Sequence, residues 1–133
     1  MSSEDVSIWK KFIEANGKNY TSFDYDFKVG EGTDPGPEVP GNYRQDFIEL
    51  SKKRIDAVGY QNNGVSIFEV KPRAGTQALG QLITYKSLYE KKFPSAKIIE
   101  VAVVCSFISP EEVALYKSFG INNYVFNLQE GGI

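Results

Sequence analysis

The sequence contains no histidine, and this absence excludes several kinds of active site. Without an imidazole the chain can form neither a Ser-His-Asp triad nor a Cys-His pair, and most catalytic zinc centres are excluded as well. A metal bound by this chain must be held by oxygen ligands. Such a set of ligands favours Mg²⁺, Mn²⁺ or Ca²⁺.

Cysteine is also scarce, because Cys105 is the only one and it lies in the apolar run 98–105. A lone cysteine cannot form an internal disulfide or build a zinc or iron–sulfur site. We interpret it as a small buried hydrophobe and not as a reactive thiol. The lack of disulfides fits a reducing interior, and residues 1–5 have neither the basic nor the apolar segment of a secretory signal. We therefore expect a cytoplasmic (intracellular) protein.

Long apolar runs are missing too, and no stretch approaches the roughly 18 residues that a membrane span requires. We therefore expect no membrane partner. The chain has 133 residues, of which 41% are hydrophobic and 24% charged. These values predict a single globular domain over residues 1–133.

The net charge of −2 provides no general attraction for nucleic acid, but the charge is unevenly distributed. Residues 51–97 hold nine Lys or Arg and three Asp or Glu, a net of +6, whereas residues 1–50 are net −5 and residues 98–133 are net −3. A local positive field matters more than total charge for phosphate binding. The alternative is a set of solvated lysines without a ligand.

Hydrophobic periodicity predicts three helices and five strands. In chain order they are a helix at 5–16, strands at 20–29, 53–60 and 65–71, a helix at 76–92, a strand at 97–105, a helix that begins at Ser109 and ends at Gly120, and a strand at 122–128. Strict alternation puts Phe23, Tyr25, Phe27 and Val29 on one face of the first strand. Residues 30–44 are rich in Gly and Pro, and we predict a long loop there. The order α-β-β-β-α-β-α-β implies an α/β fold with a mixed central sheet flanked by helices.

The second and third strands are predicted to form a hairpin, because Asn63-Gly64 is a strong signal for a two-residue turn. This turn would put Asp56 opposite Lys71 and Val58 opposite Glu69. Paired residues share a face of the sheet, as do residues two apart. We therefore expect Asp56, Glu69 and Lys71 to converge on one side.

Two adjacent carboxylates repel each other, and a divalent cation relieves that repulsion while polarising a phosphodiester. Glu69 lies in an apolar strand, where an ionised carboxylate needs a partner. Lys71 beside the pair could orient or deprotonate an attacking water and stabilise negative charge on the phosphate. The alternative is a plain Asp56–Lys71 ion pair across the strands, with Glu69 at a solvated edge.

Two motifs in this region resemble those of a known family. Ile55-Asp56-Ala57-Val58 followed by Ile67-Phe68-Glu69-Val70-Lys71 is similar to the D…(D/E)-x-K signature of PD-(D/E)XK nucleases. Gln81-Leu82-Ile83-Thr84-Tyr85 resembles the Q-h-x-x-Y motif of the RecB-like and lambda-exonuclease-like branches, and its Gln and Tyr share one helical face. The alternative for the second motif is a surface glutamine and a core tyrosine.

The resemblance implies a restriction-endonuclease-like fold and an endonuclease or exonuclease that hydrolyses DNA phosphodiester bonds with Mg²⁺ or Mn²⁺. It implies Asp56, Glu69 and the Val70 carbonyl as metal ligands and Lys71 as the residue that positions water. It also implies that Gln81 and Tyr85 face the metal site and the DNA phosphates.

Further site residues are expected from the same resemblance. Related nucleases often carry another metal ligand on the first helix, for which Glu14 is the candidate and Glu49 or Asp46 are rivals. Candidate contacts to nucleic acid are basic residues near the site or at the end of the long loop, namely Arg54, Arg73, Lys86 and Arg44.

Two other hypotheses stay open at this point. The chain could keep the nuclease fold as a catalytically weak or inactive subunit that binds DNA or works with a larger protein partner, or as a homodimer. Alternatively, it could be a structural α/β domain in which the ion pairs are incidental.

Overall fold

Five strands form one mixed sheet with helices on both faces in the computed structural model, which describes residues 1–128. The elements are α1 (Ser3–Asn16), a 3₁₀ turn (Gly17–Asn19), β1 (Ser22–Val29), α2 (Gly41–Ser51), β2 (Lys53–Gln61), β3 (Gly64–Arg73), α3 (Thr76–Lys92), β4 (Ile98–Phe107), α4 (Pro110–Ser118) and β5 (Asn122–Val125). The strand order is β1-β2-β3-β4-β5. The β1-β2-β3 pairs are antiparallel and the β3-β4-β5 pairs are parallel. The predicted mixed α/β sheet is confirmed.

The sheet separates two apolar cores. On one face Ile8, Trp9 and Phe12 of α1 pack on Phe68 and Val104, and on the other face the core includes Leu79, Leu82 and Tyr85 of α3. β4 contributes to both cores, since Ala102 and Val104 face α1 whereas Val103 and Cys105 face α3. The predictions of a strand covered on both faces and of a buried Cys105 are confirmed. No helix within residues 1–128 is both long and apolar enough to cross a membrane.

The predicted single apolar face of β1 is wrong, because the strand changes face at Asp26. Phe23 and Tyr25 pack against Trp9 of α1, whereas Phe27 packs against Tyr89 of α3. Asp26 has φ 49°, in the left-handed region, so the backbone there does not continue the alternation. β2 changes face at the same level, since Ile55 and Ala57 lie in opposite cores. The irregular position on β2 is therefore Asp56.

The predicted hairpin register is also wrong, although its consequence for the site holds. Gln61 pairs with Gly64 and Val58 with Ile67, so the turn residues are Asn62 and Asn63. Continuing this register puts Asp56 level with Glu69 and not with Lys71. A shift of two residues keeps every side chain on its face, whereas a shift of one would reverse it.

Helix α2 was missed, and part of it lies in the predicted loop 30–44. The irregular segment ends before Gly41, where α2 begins. No residue of α2 is buried, and its first four residues lie in the Gly- and Pro-rich run that predicted a loop. The predicted last strand, 122–128, is also shorter than expected and ends at Val125.

Gly64→Ala is expected to destabilise the fold by about 1–3 kcal/mol. Gly64 has φ +150°, and a Cβ there would collide with the Lys97 carbonyl oxygen. Urea denaturation measures the loss. The matched control is Gly80→Ala in α3, where a Cβ meets nothing within 4 Å; it should stabilise the helix by about 0.5–1 kcal/mol. Equal stability of the two variants would contradict this account.

Candidate metal centre

Asp56 lies where the β2–β3 ladder ends. The recorded pairing of the two strands stops at Ala57 and Phe68. Beyond that pair, the Val70 N–H donates a hydrogen bond of 2.8 Å to Asp56 Oδ2. The carboxylate therefore replaces a carbonyl as the partner of this backbone group, which holds it between the two strands.

Glu69 is buried beside Asp56, with 3% of its surface exposed. Its Oε2 lies 3.7 Å from Lys71 Nζ, and its Oε1 is buried without a hydrogen-bond partner among the described residues. The alternative that put Glu69 at a solvated edge is wrong, and so is the Asp56–Lys71 ion pair, because Lys71 pairs with Glu69. A buried oxygen without a donor is costly unless a proton or cation neutralises it.

The two carboxyl groups are electrostatically linked. Burial, and then the charge of Asp56, raise the pKa of Glu69 to about 8, although Lys71 acts in the opposite direction. Burial also raises the pKa of Asp56, although hydrogen bonds with the Val70 N–H and with Glu69 act to lower it. The metal-free pair therefore holds a proton at neutral pH.

The donor set fits a small divalent cation. A cation between the carboxylates would replace their shared proton and satisfy Glu69 Oε1. Mg²⁺ commonly binds to one or two carboxylates and completes its shell with water and substrate phosphates. No group of three or more His, Cys, Asp or Glu side chains in residues 1–128 is arranged to hold a metal. Other ligands would therefore be water, substrate or backbone oxygens, and the Val70 carbonyl stays a prediction.

Helix α3 brings the second motif to the pair. Tyr85 is buried under the helix, and its pKa is raised first by burial and then by the charges of Glu69 and Asp56. A hydrogen bond from Gln81 to Tyr85 acts against that shift, while Gln81 Oε1 is buried without a partner in the described part of the chain. Tyr85 is thus both a core aromatic and a neighbour of the pair. The reading of Gln81 as a surface residue is wrong.

The acid of α1 that acts on the pair is Asp5 and not Glu14. The charge of Asp5 raises the pKa of both Asp56 and Glu69. Glu14 is exposed and lies nine residues farther along the helix, about 13 Å away. Asp5 was missed because an acid in a first turn indicates a cap, and it does form a capping box with Ser2.

The rival acids on α2 lie elsewhere. Glu49 pairs with Lys28 and Lys52, and Asp46 is exposed. The structure therefore does not bring these two carboxylates to the Asp56–Glu69 pair.

Two pockets adjoin the site. Asp56 lines one of about 290 Å³, together with Trp9, Tyr25 and Asp26 among others. Lys71 and Arg73 line another of about 330 Å³, at the start of α3. Asp56 is therefore accessible from the first pocket, and Lys71 and Arg73 lie at the entrance of the second.

The predicted nucleic-acid contacts are spread over several elements. Arg73 lies at the Lys71 entrance, with its guanidinium 4.6 Å from the centre of the Phe107 ring. Lys86 is exposed directly after Tyr85, and Arg54 lies two residues before Asp56. Arg44 on α2 donates two hydrogen bonds of 2.7 and 2.6 Å to Asp34, which ties it to the preceding loop. All four stay predictions.

Two solved structures have a fold similar to that of this chain. A structure of EndoMS in complex with double-stranded DNA matches with a TM-score of 0.54 and 13% identity, over 91% of this chain and 44% of that one. The crystal structure of a repair endonuclease from Pyrococcus abyssi matches with a TM-score of 0.56 and 13% identity, over 96% of this chain and 48% of that one. The chain shares its fold with part of each of these two proteins.

The likeness to these endonucleases is one of fold alone, since the identity is low. This chain spans less than half the length of each. No family model and no curated protein matches the sequence. The chemistry must therefore be argued from the residues of the centre.

Proposed function

We propose that the chain is a nuclease that hydrolyses DNA phosphodiester bonds with Mg²⁺ or Mn²⁺ bound by Asp56 and Glu69. The observation that carries the proposal is the buried carboxyl pair, with Glu69 Oε1 unpartnered and Lys71 Nζ 3.7 Å from Oε2. A buried pair of acids is destabilising by itself, so its presence beside a lysine indicates a function. The fold of the endonuclease neighbours supports the same reaction class. The lack of disulfides and the DNA substrate support an intracellular location.

A bound divalent ion would polarise the phosphodiester and offset the charge that develops on it. Lys71 holds the attacking water beside Glu69 and stabilises negative charge on the non-bridging oxygens. Water forms a new P–O bond as the bond to the leaving deoxyribose oxygen breaks; the water gives up a proton to solvent, and the leaving oxygen takes one up. Gln81 presents its side chain towards a substrate phosphate, and Tyr85, which stays protonated because its pKa is raised, supports Gln81 by their hydrogen bond.

A cleavage assay over single-stranded, duplex, flapped and four-way DNA tests the proposal. We expect cleavage with Mg²⁺ or Mn²⁺ and none with EDTA. The endonuclease neighbours favour cuts within strands, so a circular single-stranded substrate should be linearised. If only linear DNA is degraded, the chain is an exonuclease. If no DNA is cut with either metal, the proposed function is wrong.

Lys71→Met should lower the rate of cleavage about 10²–10³-fold, the usual effect of removing one preorganised charge from a reacting centre. The substitution keeps the length of the side chain and leaves both carboxyl groups in place. The rate is measured with saturating Mg²⁺ and DNA. Lys10→Met, an exposed change on α1, is the matched control and should leave the rate unchanged. A Lys71→Met rate within threefold of the parent would remove Lys71 from the mechanism.

One observation favours a second candidate, a subunit that depends on a partner. Tyr43, Phe47 and Leu50 are exposed on α2, and they lie on one side of that helix. Such an exposed apolar stripe is suited to binding a larger protein or a second copy of the chain. Analytical ultracentrifugation with and without DNA separates these cases. A strict monomer under both conditions would count against the homodimer.

A further inference from the structure

A basic pocket of about 600 Å³ lies at the carboxyl end of α3, apart from the pockets of the Asp56–Glu69 pair. It is lined by Gly30, Glu31, Leu88 and four lysines, namely Lys28, Lys52, Lys91 and Lys92. We call it the lysine pocket. None of its four lysines is among the candidate nucleic-acid contacts named from the sequence, although three of them lie in the net-positive segment 51–97.

The positive charge of the lysine pocket is only partly compensated. One carboxylate, Glu49, serves both Lys28 at 3.4 Å and Lys52 at 2.7 Å. Lys91 forms no ion pair with any residue that the structure describes. With Glu31 and Glu49 counted against the four lysines, the pocket has an excess of two positive charges in a chain whose net charge is −2.

The neighbouring strands add to this charge. Lys28 on β1 is directly opposite Arg54 on β2. Like charges in directly opposed positions destabilise a sheet, unless an anion lies between them. Arg54 does not line the lysine pocket, but it adds positive charge at the same end of the sheet.

The lysines are also partly positioned. Lys92 Nζ donates a hydrogen bond of 3.3 Å to the Lys28 carbonyl and lies 5.1 Å from the centre of the Phe27 ring and 5.6 Å from that of Phe93. These contacts hold the ammonium group before any ligand arrives, which lowers the entropy lost on binding. Lysine ammonium groups bind phosphates as compact point charges.

The pocket is aligned with the metal centre. Gln81, Tyr85, Leu88 and Lys92 follow one stripe of α3, at i, i+4, i+7 and i+11. The rise from Tyr85 to Lys92 is about 10 Å, an axial distance that about three phosphates of one DNA strand span. On the sheet side, Lys52 lies four residues before Asp56. Tyr85 is buried beside the pair, so this stripe gives the distance between the two sites, which is short enough for one DNA molecule to contact both.

We propose that the lysine pocket binds the phosphate backbone of the DNA strand about three nucleotides from the phosphate at the Asp56–Glu69 pair. This inference rests on the proposed function, because the DNA is positioned by the metal centre. The pocket contributes affinity without sequence preference, since it offers charges to phosphates and no groups for base edges.

The test uses Lys91→Gln/Lys92→Gln and measures DNA binding by fluorescence anisotropy over a range of NaCl concentrations. The probes are fluorescein-labelled single-stranded and duplex oligonucleotides. The parent, the pocket variant and the control variant all carry Asp56→Asn so that the probe is not cut. Each lost phosphate contact reduces the slope of log K against log [salt] by about 0.7–0.9. We expect the double variant, which loses two contacts, to lose about 1.4–1.8 units of slope. Its matched control is Lys97→Gln/Lys117→Gln, which removes the same charge outside the pocket and should lose none.

The outcomes separate this proposal from the proposed function. Equal slopes for the pocket variant and the control would overturn the lysine pocket as a DNA site, whether or not the parent cuts DNA. Absence of any DNA binding by the Asp56→Asn protein would overturn it too. If the parent cuts no DNA but the slope still falls in the pocket variant, the pocket stands and the proposed catalysis fails. If the double variant does not fold, Lys91→Gln alone tests the pocket, because the Lys91 side chain forms no hydrogen bond or ion pair with any described residue. This variant should lose about 0.7–0.9 units of the slope of log K against log [salt].

Discussion

Asp56→Asn is expected to abolish DNA cleavage, with a loss on the order of 10³-fold or more. The variant removes one negative charge from the centre and therefore weakens the site for a divalent cation. It changes little else, because the amide oxygen of asparagine can still accept the hydrogen bond that the Val70 N–H donates at 2.8 Å. The loss should therefore appear with the thermal unfolding temperature preserved or raised. Cleavage rates with Mg²⁺ at saturating DNA provide the measurement.

Glu14→Gln is the matched control for Asp56→Asn. It also changes one acid to its amide, but at an exposed position far along α1 from the pair. Its cleavage rate should equal that of the parent. If Asp56→Asn cuts as fast as the parent, Asp56 is not a metal ligand; if Glu14→Gln is inactive, the acid of the first helix is Glu14 after all.

The second large effect concerns stability in the absence of metal. The pKa of Glu69 is raised to about 8 in the folded chain, above its ordinary value of 4.5, chiefly by burial. In the interval between these values the folded chain binds more protons than the unfolded chain, so stability falls as pH rises. The stabilising contribution is complete below about 4.5 and is lost as pH passes through about 8. We expect the metal-free chain to lose on the order of a few kcal/mol over this interval.

Glu69→Gln tests this second effect, because glutamine resembles the protonated acid at every pH. In EDTA at pH 8.5 the variant should be more stable to urea than the parent, and its stability should depend much less on pH. Added Mg²⁺ should raise the stability of the parent and leave Glu69→Gln nearly unaffected. Glu111→Gln on α4 is the control for a general change of charge. A parent whose stability is unchanged between pH 5 and 8.5 in EDTA would contradict the buried, repelling pair.

The sequence predicts the members of the centre better than the backbone that holds them. Asp56, Glu69 and Lys71 come together even though the hairpin register differs by two residues. Glu69 and Lys71 share a face by alternation, whereas Asp56 lies where β2 changes face and is held by the Val70 N–H. The change of face at Asp26 depends on one left-handed φ, which a pattern of apolar residues does not encode. Helix α2 was missed because it begins at Gly41, inside the Gly- and Pro-rich run that predicted a loop.

The role of Asp5 and the lysine pocket could not be predicted from the sequence, because both depend on tertiary packing. Asp5 has the local signature of a helix cap, and only the tertiary packing brings its charge near Asp56. The lysines of the pocket come from β1, the start of β2 and the end of α3, which are far apart in sequence. The net positive charge of residues 51–97 indicated a basic surface, but the position of that surface depends on how the strands and α3 pack.

The most direct test of the Asp56–Glu69 metal centre is a calorimetric titration of the metal-free chain with Mn²⁺ at pH 7, repeated in buffers of different ionisation enthalpy. Because the pair holds a proton that a cation must displace, we predict binding at one site with release of about one proton. Asp56→Asn and Glu69→Gln should both abolish this binding. Absence of Mn²⁺ binding by the parent at millimolar concentration, or unchanged binding by both variants, would contradict the account and favour a nuclease fold that serves as a binding subunit.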